Sequence, residues 1–312
     1  MRLIKEKTSI DFLGRKRRRV AIAVSIVAVV ISIVSLSTRG LNFGVDFTGG
    51  VLLELGYPQA ADLNRIRTLL TDAGFTDVLV QRFGSETDVM LRLPPQDGDA
   101  DAIRQGLQST LAADEPDVEL RRVEFVGPEV GEELTEKGGL AMIFALLMIF
   151  AYVMFRFQWK FAAGAVAALA HDVIVTVGFF SIFSIPFDLS VVAAVLAVIG
   201  YSLNDTVVAF DRIRENFIKL RGTESEEAMN ISINEMLART IITGVTTLLV
   251  LSALLALGGE SVAPFSIALI VGVIVGTYSS IYTAGATALI LDVSAQDLLP
   301  PEVDPELVDD LP

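Results

Sequence analysis

Six long apolar blocks constrain the fold of this chain more than any other feature. Each is close in length to the roughly 20 helical residues that cross a hydrocarbon core of about 30 Å. They occupy residues 20–38, 138–155, 161–183, 187–210, 240–258 and 265–291. We therefore predict a membrane α-helical bundle of six transmembrane helices.

The first block also has features of a cleaved signal peptide. Basic residues 15–19 precede it, and Ser35-Leu36-Ser37 offers small residues for cleavage. However, its apolar run from Val20 to Ser37 exceeds the roughly 7–15 residues of a signal core. An uncleaved span is the preferred interpretation, with its basic residues attracted to the headgroups of anionic membrane lipid.

Short-loop charge predicts the orientation of the bundle. Arg156 and Lys160 lie between the second and third blocks, whereas 184–187 and 258–264 contain no Lys or Arg. Basic connections stay in the cytoplasm, so both termini are expected there. The predicted parts are a basic N-terminus (1–19), transmembrane helix 1 (20–38), an extracytoplasmic segment (39–137), transmembrane helices 2–6 (138–291) with a cytoplasmic loop at 211–238, and an acidic cytoplasmic tail (292–312).

The extracytoplasmic segment has the periodicity of a soluble α+β domain. Its pattern predicts strands at 51–55, 77–83, 87–93 and 118–126, and helices at 60–74 and 98–113. The order β-α-β-β-α-β is typical of a ferredoxin-like fold. We expect Leu70 and Leu91 to lie in its core.

A turn motif, Asp46 followed by Gly49-Gly50, marks the entry to this domain. It predicts a tight backbone passage with Asp46 capping the turn. Without a Lys or a following helix N-terminus, it lacks the parts of a phosphate-binding loop.

Asp205 and Arg239 are the main functional candidates, because a charge near the bilayer centre costs from about 2.5 to more than 10 kcal/mol. Asp205 is near the end of the fourth block and Arg239 at the start of the fifth, so an ion pair is the simplest expectation. Attraction to Arg239 favours an ionised carboxylate and desolvation favours the neutral acid, a balance that suits a proton carrier. A static ion pair and an arginine reaching lipid headgroups remain the alternatives.

Other polar residues within the blocks are candidates for a relay or for support. His171, the one histidine in the chain, has two nitrogens that suit proton transfer, but a hydrogen bond to a neighbouring helix is the favoured interpretation. Gly272 and Gly276 form a small-residue face for close helix packing. The supporting set is His171, Asp172, Asn204, Thr243, Ser279 and Ser280.

Several classes of site are disfavoured. The chain has no cysteine, which excludes disulfides and thiolate sites, and it has neither a serine-nucleophile elbow nor metal-spaced histidines. An aspartyl protease needs two facing carboxylates, whereas Asp172 and Asp205 have competing partners. We expect no enzyme activity, no cofactor, no metal and no nucleic-acid partner, with H⁺ as coupling ion and Na⁺ left open.

Several motifs resemble the SecF family, the smaller subunits of the SecDF protein-export complex in the resistance-nodulation-division superfamily. The resemblance extends over residues 10–290. Its motifs are NFGVDFTGG at 42–50, VGPEVG at 126–131, AHD at 170–172, GYSLNDTVV at 200–208, FDRIREN at 210–216, RT at 239–240 and GTYSSI at 276–281.

This resemblance implies a role in preprotein translocation across the bacterial cytoplasmic (inner) membrane. In that family SecF and SecD each supply six spans beside the SecYEG channel, and the proton motive force draws the preprotein outward while SecA pushes it. YajC and YidC are further candidate partners. The essential carboxylate and arginine correspond to Asp205 and Arg239. A small-molecule exporter that self-associates and a non-conducting scaffold of the translocase are the alternatives.

Overall fold

The computed structural model describes residues 9–95, 100–220 and 222–298. Its helices are α1 Arg15–Arg39, α2 Val45–Thr48, α3 Leu63–Asp72, α4 Ala100–Asp114, α5 Pro128–Arg156, α6 Trp159–Phe183, α7 Leu189–Lys219, α8 Ser225–Leu257, α9 Ala263–Ile281 and α10 Thr283–Ile290. Its strands are β1 Asn42–Phe43, β2 Gly50–Gly56, β3 Leu79–Arg82, β4 Asp88–Leu93, β5 Glu119–Val126 and β6 Pro186–Phe187.

Within these ranges six helical segments are long and apolar enough to cross a membrane, so the predicted number of spans is confirmed. They are α1, α5, α6, α7, α8 and the pair α9–α10, which is interrupted at Tyr282. Most of the predicted acidic tail, residues 299–312, lies outside the described residues.

The helices extend beyond the apolar blocks. Segment 211–238, predicted as a loop, is helical up to Lys219 and again from Ser225, so that prediction is wrong in its local structure. An ion pair between Arg212 of α7 and Glu235 of α8, with nitrogen and oxygen 2.7 Å apart, joins the two extensions. Within α7, Lys219 forms an ion pair with Glu215 one turn away, at 2.6 Å. Apolar patterning ends where the membrane ends, but charged side chains continue the helices into water.

Helices α6, α7 and α9 form the centre of the bundle. A Cβ atom added to Gly272 of α9 would lie 2.1 Å from a methyl group of Val198 on α7. One turn later, a Cβ atom on Gly276 would lie 3.1 Å from Cβ of Ser202. The predicted small-residue face of α9 is therefore the surface on which α7 packs.

The segment between α1 and α5 contains a four-stranded antiparallel sheet in the order β3-β4-β2-β5. Two helices, α3 and α4, connect its strands, and the order of elements is the predicted β-α-β-β-α-β. The side chains of Leu70 and Leu91 are fully buried in the apolar core, as expected.

The other face of this sheet rests on one end of the helical bundle, which we call the domain end. Arg122 of β5 donates hydrogen bonds to Glu54 of β2 at 3.2 Å and to Ser261, which lies between α8 and α9. Short strands β1 and β6 pair in parallel beside this contact. The opposite end of the bundle, where α6 begins and α10 ends, is called the far end.

Candidate functional site

Asp205 lies on the buried side of α7 and is 6% exposed. Its Oδ2 atom is buried and has no hydrogen-bond partner among the described residues. The hydroxyl groups of Tyr201 and Thr206, on the same helix, are also buried and unpaired there. An unpaired polar atom in a membrane bundle costs free energy, so this carboxyl group is an unusual residue to retain for packing alone.

Arg239 does not form the expected ion pair with Asp205 in the described part of the chain, where Oδ2 of Asp205 has no partner. Its charge still acts on Asp205 through space. The reason is the rotation of α8: Thr240 and Gly244 face the bundle, whereas Arg239 is exposed. Consecutive residues lie about 100° apart around a helix, so burying Thr240 turns Arg239 outward.

Asp172 of α6 is fully buried and connects the three central helices. Its Oδ2 atom accepts hydrogen bonds from Ser202 of α7 and from Ser279 of α9, the latter at 2.7 Å. Its Oδ1 atom lies 2.9 Å from Nδ1 of His171. Three of the predicted supporting residues, His171, Asp172 and Ser279, therefore meet at one carboxylate.

His171 connects this cluster to a groove between α1, α6 and α10. The groove has a volume of about 380 Å³, and His171 forms part of its wall together with Ser25, Thr283 and Thr287. The His171 ring itself is 6% exposed. One side of the imidazole thus contacts the buried carboxylate, and the residue also borders a more open space.

The remaining supporting residues do not join Asp172. Asn204 is exposed on α7. Thr243 donates its hydroxyl hydrogen to the carbonyl groups of its own helix, including Arg239 O at 2.9 Å, and Ser280 donates to Thr277 O at 3.1 Å. These hydroxyl groups satisfy their hydrogen bonds locally, as Ser and Thr often do in helices.

The predicted set of site residues did not include Ser202 or Tyr278. Ser202 lies three residues before Asp205, on the same side of α7, which was the signal available for it. Tyr278 donates to the backbone oxygen of Ala21 at 2.7 Å and accepts from Ser25, contacts between distant segments that no local pattern reveals.

The domain-entry motif performs a different task from the predicted one. Asp46 does not cap its own turn; its Oδ2 atom accepts a hydrogen bond from the backbone of Leu189, at the start of α7, at 2.8 Å. Gly49 and Gly50 have φ of +67° and +118°, and a Cβ on Gly50 would lie 2.1 Å from Leu93 O. The motif therefore fastens the sheet to the first turn of the helix that carries Asp205.

Comparison with known proteins gives a consistent result. The family described as protein export membrane protein SecD/SecF, C-terminal, matches residues 107–294, and the SecD/SecF GG motif matches 34–61. The protein translocase subunit SecF of Pseudomonas aeruginosa is 50% identical, with 97% of this chain and 98% of that protein covered. SecF of Vibrio alginolyticus is also 50% identical, over 97% of this chain and 96% of that protein.

A solved structure extends the similarity to the fold. The crystal structure of SecDF from Thermus thermophilus, titled a translocon-associated membrane protein, has a TM-score of 0.85 and 34% identity. The match covers 93% of this chain but 40% of that longer chain. Motif, whole-chain identity and three-dimensional similarity agree, and the chain therefore belongs to the SecF family of protein translocase subunits.

Proposed function

We propose that this chain is one half of a proton-driven machine that promotes preprotein translocation through SecYEG. The observation that carries this proposal is the buried, unpaired carboxyl oxygen of Asp205. A carboxyl group without a fixed partner inside the membrane exchanges protons at a smaller structural cost than one held in an ion pair.

A proton that binds Asp205 removes its attraction to Arg239 and lowers the cost of keeping the side chain in an apolar setting. The movement of one charge across 100 mV supplies about 2.3 kcal/mol, which shifts a two-state equilibrium nearly fiftyfold. Asp46 accepts a hydrogen bond from Leu189, the first residue of the helix that carries Asp205, so we expect reorientation of α7 to reach the segment that leads into the sheet.

The partner that completes the bundle is a SecD-like protein with six spans. In α5 the buried residues are Gly131 and Val153, so most of this long apolar helix has no covering within the chain. Arg239 is exposed on α8. Both features suit a second half-bundle, with SecYEG, the preprotein, YajC and YidC as further partners.

The proposed orientation follows the positive-inside rule, with the far end in the cytoplasm and the sheet domain outside the inner membrane. We assign that domain to the ferredoxin-like class on its strand order and its two connecting helices. Its position on the domain end of α7 and α9 supports a role in handling the emerging preprotein.

The deciding experiment measures preprotein translocation under an imposed pH gradient, with SecA held constant, in vesicles that contain the assembled complex. Asp205→Asn retains size and hydrogen bonding but cannot titrate, so we expect assembly without stimulation by the gradient. Arg239→Lys retains charge but loses the planar guanidinium group, and partial loss is expected.

Glu215→Gln is the matched control, since it removes an exposed carboxylate from the same helix. It should translocate like the parent protein. If Asp205→Asn assembles and responds fully to the gradient, Asp205 is not the proton carrier and the non-conducting scaffold is favoured. Co-purification without any six-span partner would instead favour the self-associating exporter.

A further inference from the structure

We propose that an open groove between α1 and the end of α9 binds an anionic phospholipid, with the phosphate group on Lys16 and Arg17 and an acyl chain along α1. The groove has a volume of about 360 Å³, and Tyr278 and Tyr282 form its wall opposite α1. We call it the tyrosine groove. This inference goes beyond the proposed function and does not depend on Asp205.

The tyrosine groove begins at the edge of the membrane-spanning region. Leu13, two residues before α1, packs with Phe161 and Ala288 in the apolar cluster of the far end, so α1 starts at that end. Lys16 and Arg17 lie in the first turn of α1, directly before the apolar run that crosses the membrane. In either orientation of the protein, these two cations are therefore at the depth of lipid headgroups.

Both cations are available to a phosphate group. Lys16 and Arg17 are exposed, and Lys16 has no ion pair or hydrogen bond within the described part of the chain. Arg17 donates from Nη1 to the backbone oxygen of Asp11 at 2.6 Å, which holds its guanidinium group in place. The carboxylate of Asp11 is occupied by Gly14 N at 2.7 Å and by Asn230 at 3.0 Å. A fixed guanidinium group and an unpaired ammonium group on one groove suit a phosphate diester.

Deeper in the tyrosine groove the lining changes from charged to apolar. Val20 and Val24 follow Lys16 at intervals of four residues, so the three lie on one face of α1. Val20 and Val24 are 64% and 53% exposed, which leaves this apolar face largely uncovered within the described chain. On the opposite wall, Tyr278 donates to the backbone oxygen of Ala21 at 2.7 Å and so closes the floor. An acyl chain fits this apolar part.

Tyr282 lies between the charged and the apolar parts. It stands where α9 ends and α10 begins, one turn nearer the far end than Tyr278. Its ring packs against Phe12 and Tyr278, with ring centres 6.3 and 5.1 Å away. No hydrogen bond of its hydroxyl group is found among the described residues. Tyrosine is common at membrane surfaces because its ring is apolar and its hydroxyl group polar, and this one suits the ester groups of a lipid.

The neighbouring groove between α1, α6 and α10 shows why charge decides the ligand. It has a similar volume, about 380 Å³, but no Lys or Arg is among its lining residues. An acyl chain in that groove would have no cation for its headgroup. In the tyrosine groove, cations, a free hydroxyl group and an apolar face follow one another in the order of the phosphate, ester and acyl parts of a phospholipid. This order favours an anionic lipid over an apolar partner helix.

The test measures lipid binding by native mass spectrometry to the full chain, purified with any partner that accompanies it and then stripped of lipid in detergent. The probes are palmitoyl-oleoyl phosphatidylglycerol, which is anionic, and phosphatidylcholine with the same acyl chains. We expect the parent protein to bind the first phosphatidylglycerol more tightly. Lys16→Gln combined with Arg17→Gln should weaken that binding on the order of thirtyfold. Unchanged affinity in this double variant would overturn the inference.

Arg15→Gln combined with Arg19→Gln is the matched control for charge. Both arginines are exposed in the same basic cluster, but they line neither groove. Arg18 is unsuitable, since it pairs with Glu226 at 3.1 Å. The control should keep nearly the affinity of the parent protein. An equal loss in the two double variants would show that the cluster attracts lipid diffusely and that the tyrosine groove is not a site.

A second pair of variants tests the acyl chain. Val24→Trp fills the apolar part of the tyrosine groove and should remove this binding, whereas Val34→Trp, at a position 54% exposed near the other end of α1, should not. Glycerol 3-phosphate, which has the headgroup charge without acyl chains, should not displace phosphatidylglycerol. Displacement would refute the role of the apolar face. If Val24→Trp keeps its lipid but loses a co-purifying protein, the groove seats a protein partner and the inference is wrong.

Discussion

Ser279 of α9 donates a hydrogen bond at 2.7 Å to the same oxygen of Asp172 that accepts from Ser202 of α7. Because Asp172 belongs to α6, one carboxylate oxygen joins three helices of the bundle. The close approach of α7 to α9 at Gly276 makes the arrangement possible. Loss of this carboxylate would therefore remove a contact shared by all three helices.

The packing of α7 on α9 predicts that Gly272→Ala destabilises the protein. The added methyl group would lie 2.1 Å from Val198, and overpacking of this kind costs about 1–3 kcal/mol. We expect a lower unfolding temperature in detergent. Gly200→Ala on α7 is the control, because a Cβ there meets nothing within 4 Å. Equal behaviour of the two variants would contradict the close approach of the helices.

The core of the sheet domain predicts that residues 50–127 fold cooperatively on their own. Leu91 is fully buried, so Leu91→Ala should lower the free energy of unfolding by about 2–5 kcal/mol. Leu79, on the neighbouring strand, is 43% exposed, and Leu79→Ala should have a much smaller effect. Urea denaturation of the soluble segment measures both. A broad, non-cooperative transition in the parent segment would show that the domain needs the bundle.

Tyr57 predicts how the stability of this segment depends on pH. Burial, with repulsion from Asp114 and Glu115, raises the pKa of Tyr57 from 10.0 to about 12. Well below pH 10 the phenol is neutral in both the folded and the unfolded protein. Between pH 10 and about pH 12 it ionises mainly in the unfolded chain, so the free energy of unfolding falls as the pH rises.

Residues 50–127 contain one tyrosine and no lysine or cysteine, which isolates this effect. The urea midpoint should decrease between about pH 9.5 and about pH 11.5, and Tyr57→Phe should reduce that decrease. If the urea midpoint of Tyr57→Phe decreased by the same amount, the pH dependence would belong to another group.

The proposed orientation predicts which exposed glutamates an impermeant thiol reagent reaches in intact cells. The chain has no cysteine, so single replacements give a clean signal. Glu86→Cys, in the sheet domain, should be labelled, and Glu227→Cys, at the start of α8, should be labelled only after the cells are opened. Labelling of Glu227→Cys in intact cells would show that the proposed orientation is wrong.

The six spans and the order of strands and helices were predictable because they depend on local properties. In a bilayer, a run of about 20 apolar residues is stable as a membrane-spanning helix. The alternating pattern of a strand can be distinguished from the amphipathic pattern of a helix within a few residues. The packing role of Gly272 and Gly276 was also visible, since a helix places residues four apart on one face.

The tertiary structure decided which polar residues meet. The sequence placed Asp205 and Arg239 at adjacent helix ends, but rotation of α8 buries Thr240 and turns Arg239 outward. The tertiary structure likewise brings Ser202 and Ser279 to Asp172 and places Asp46 against the start of α7. Composition and periodicity determine which segments are apolar and how many of them can span a membrane. The rotation of each helix depends on packing against distant segments, which no local pattern contains.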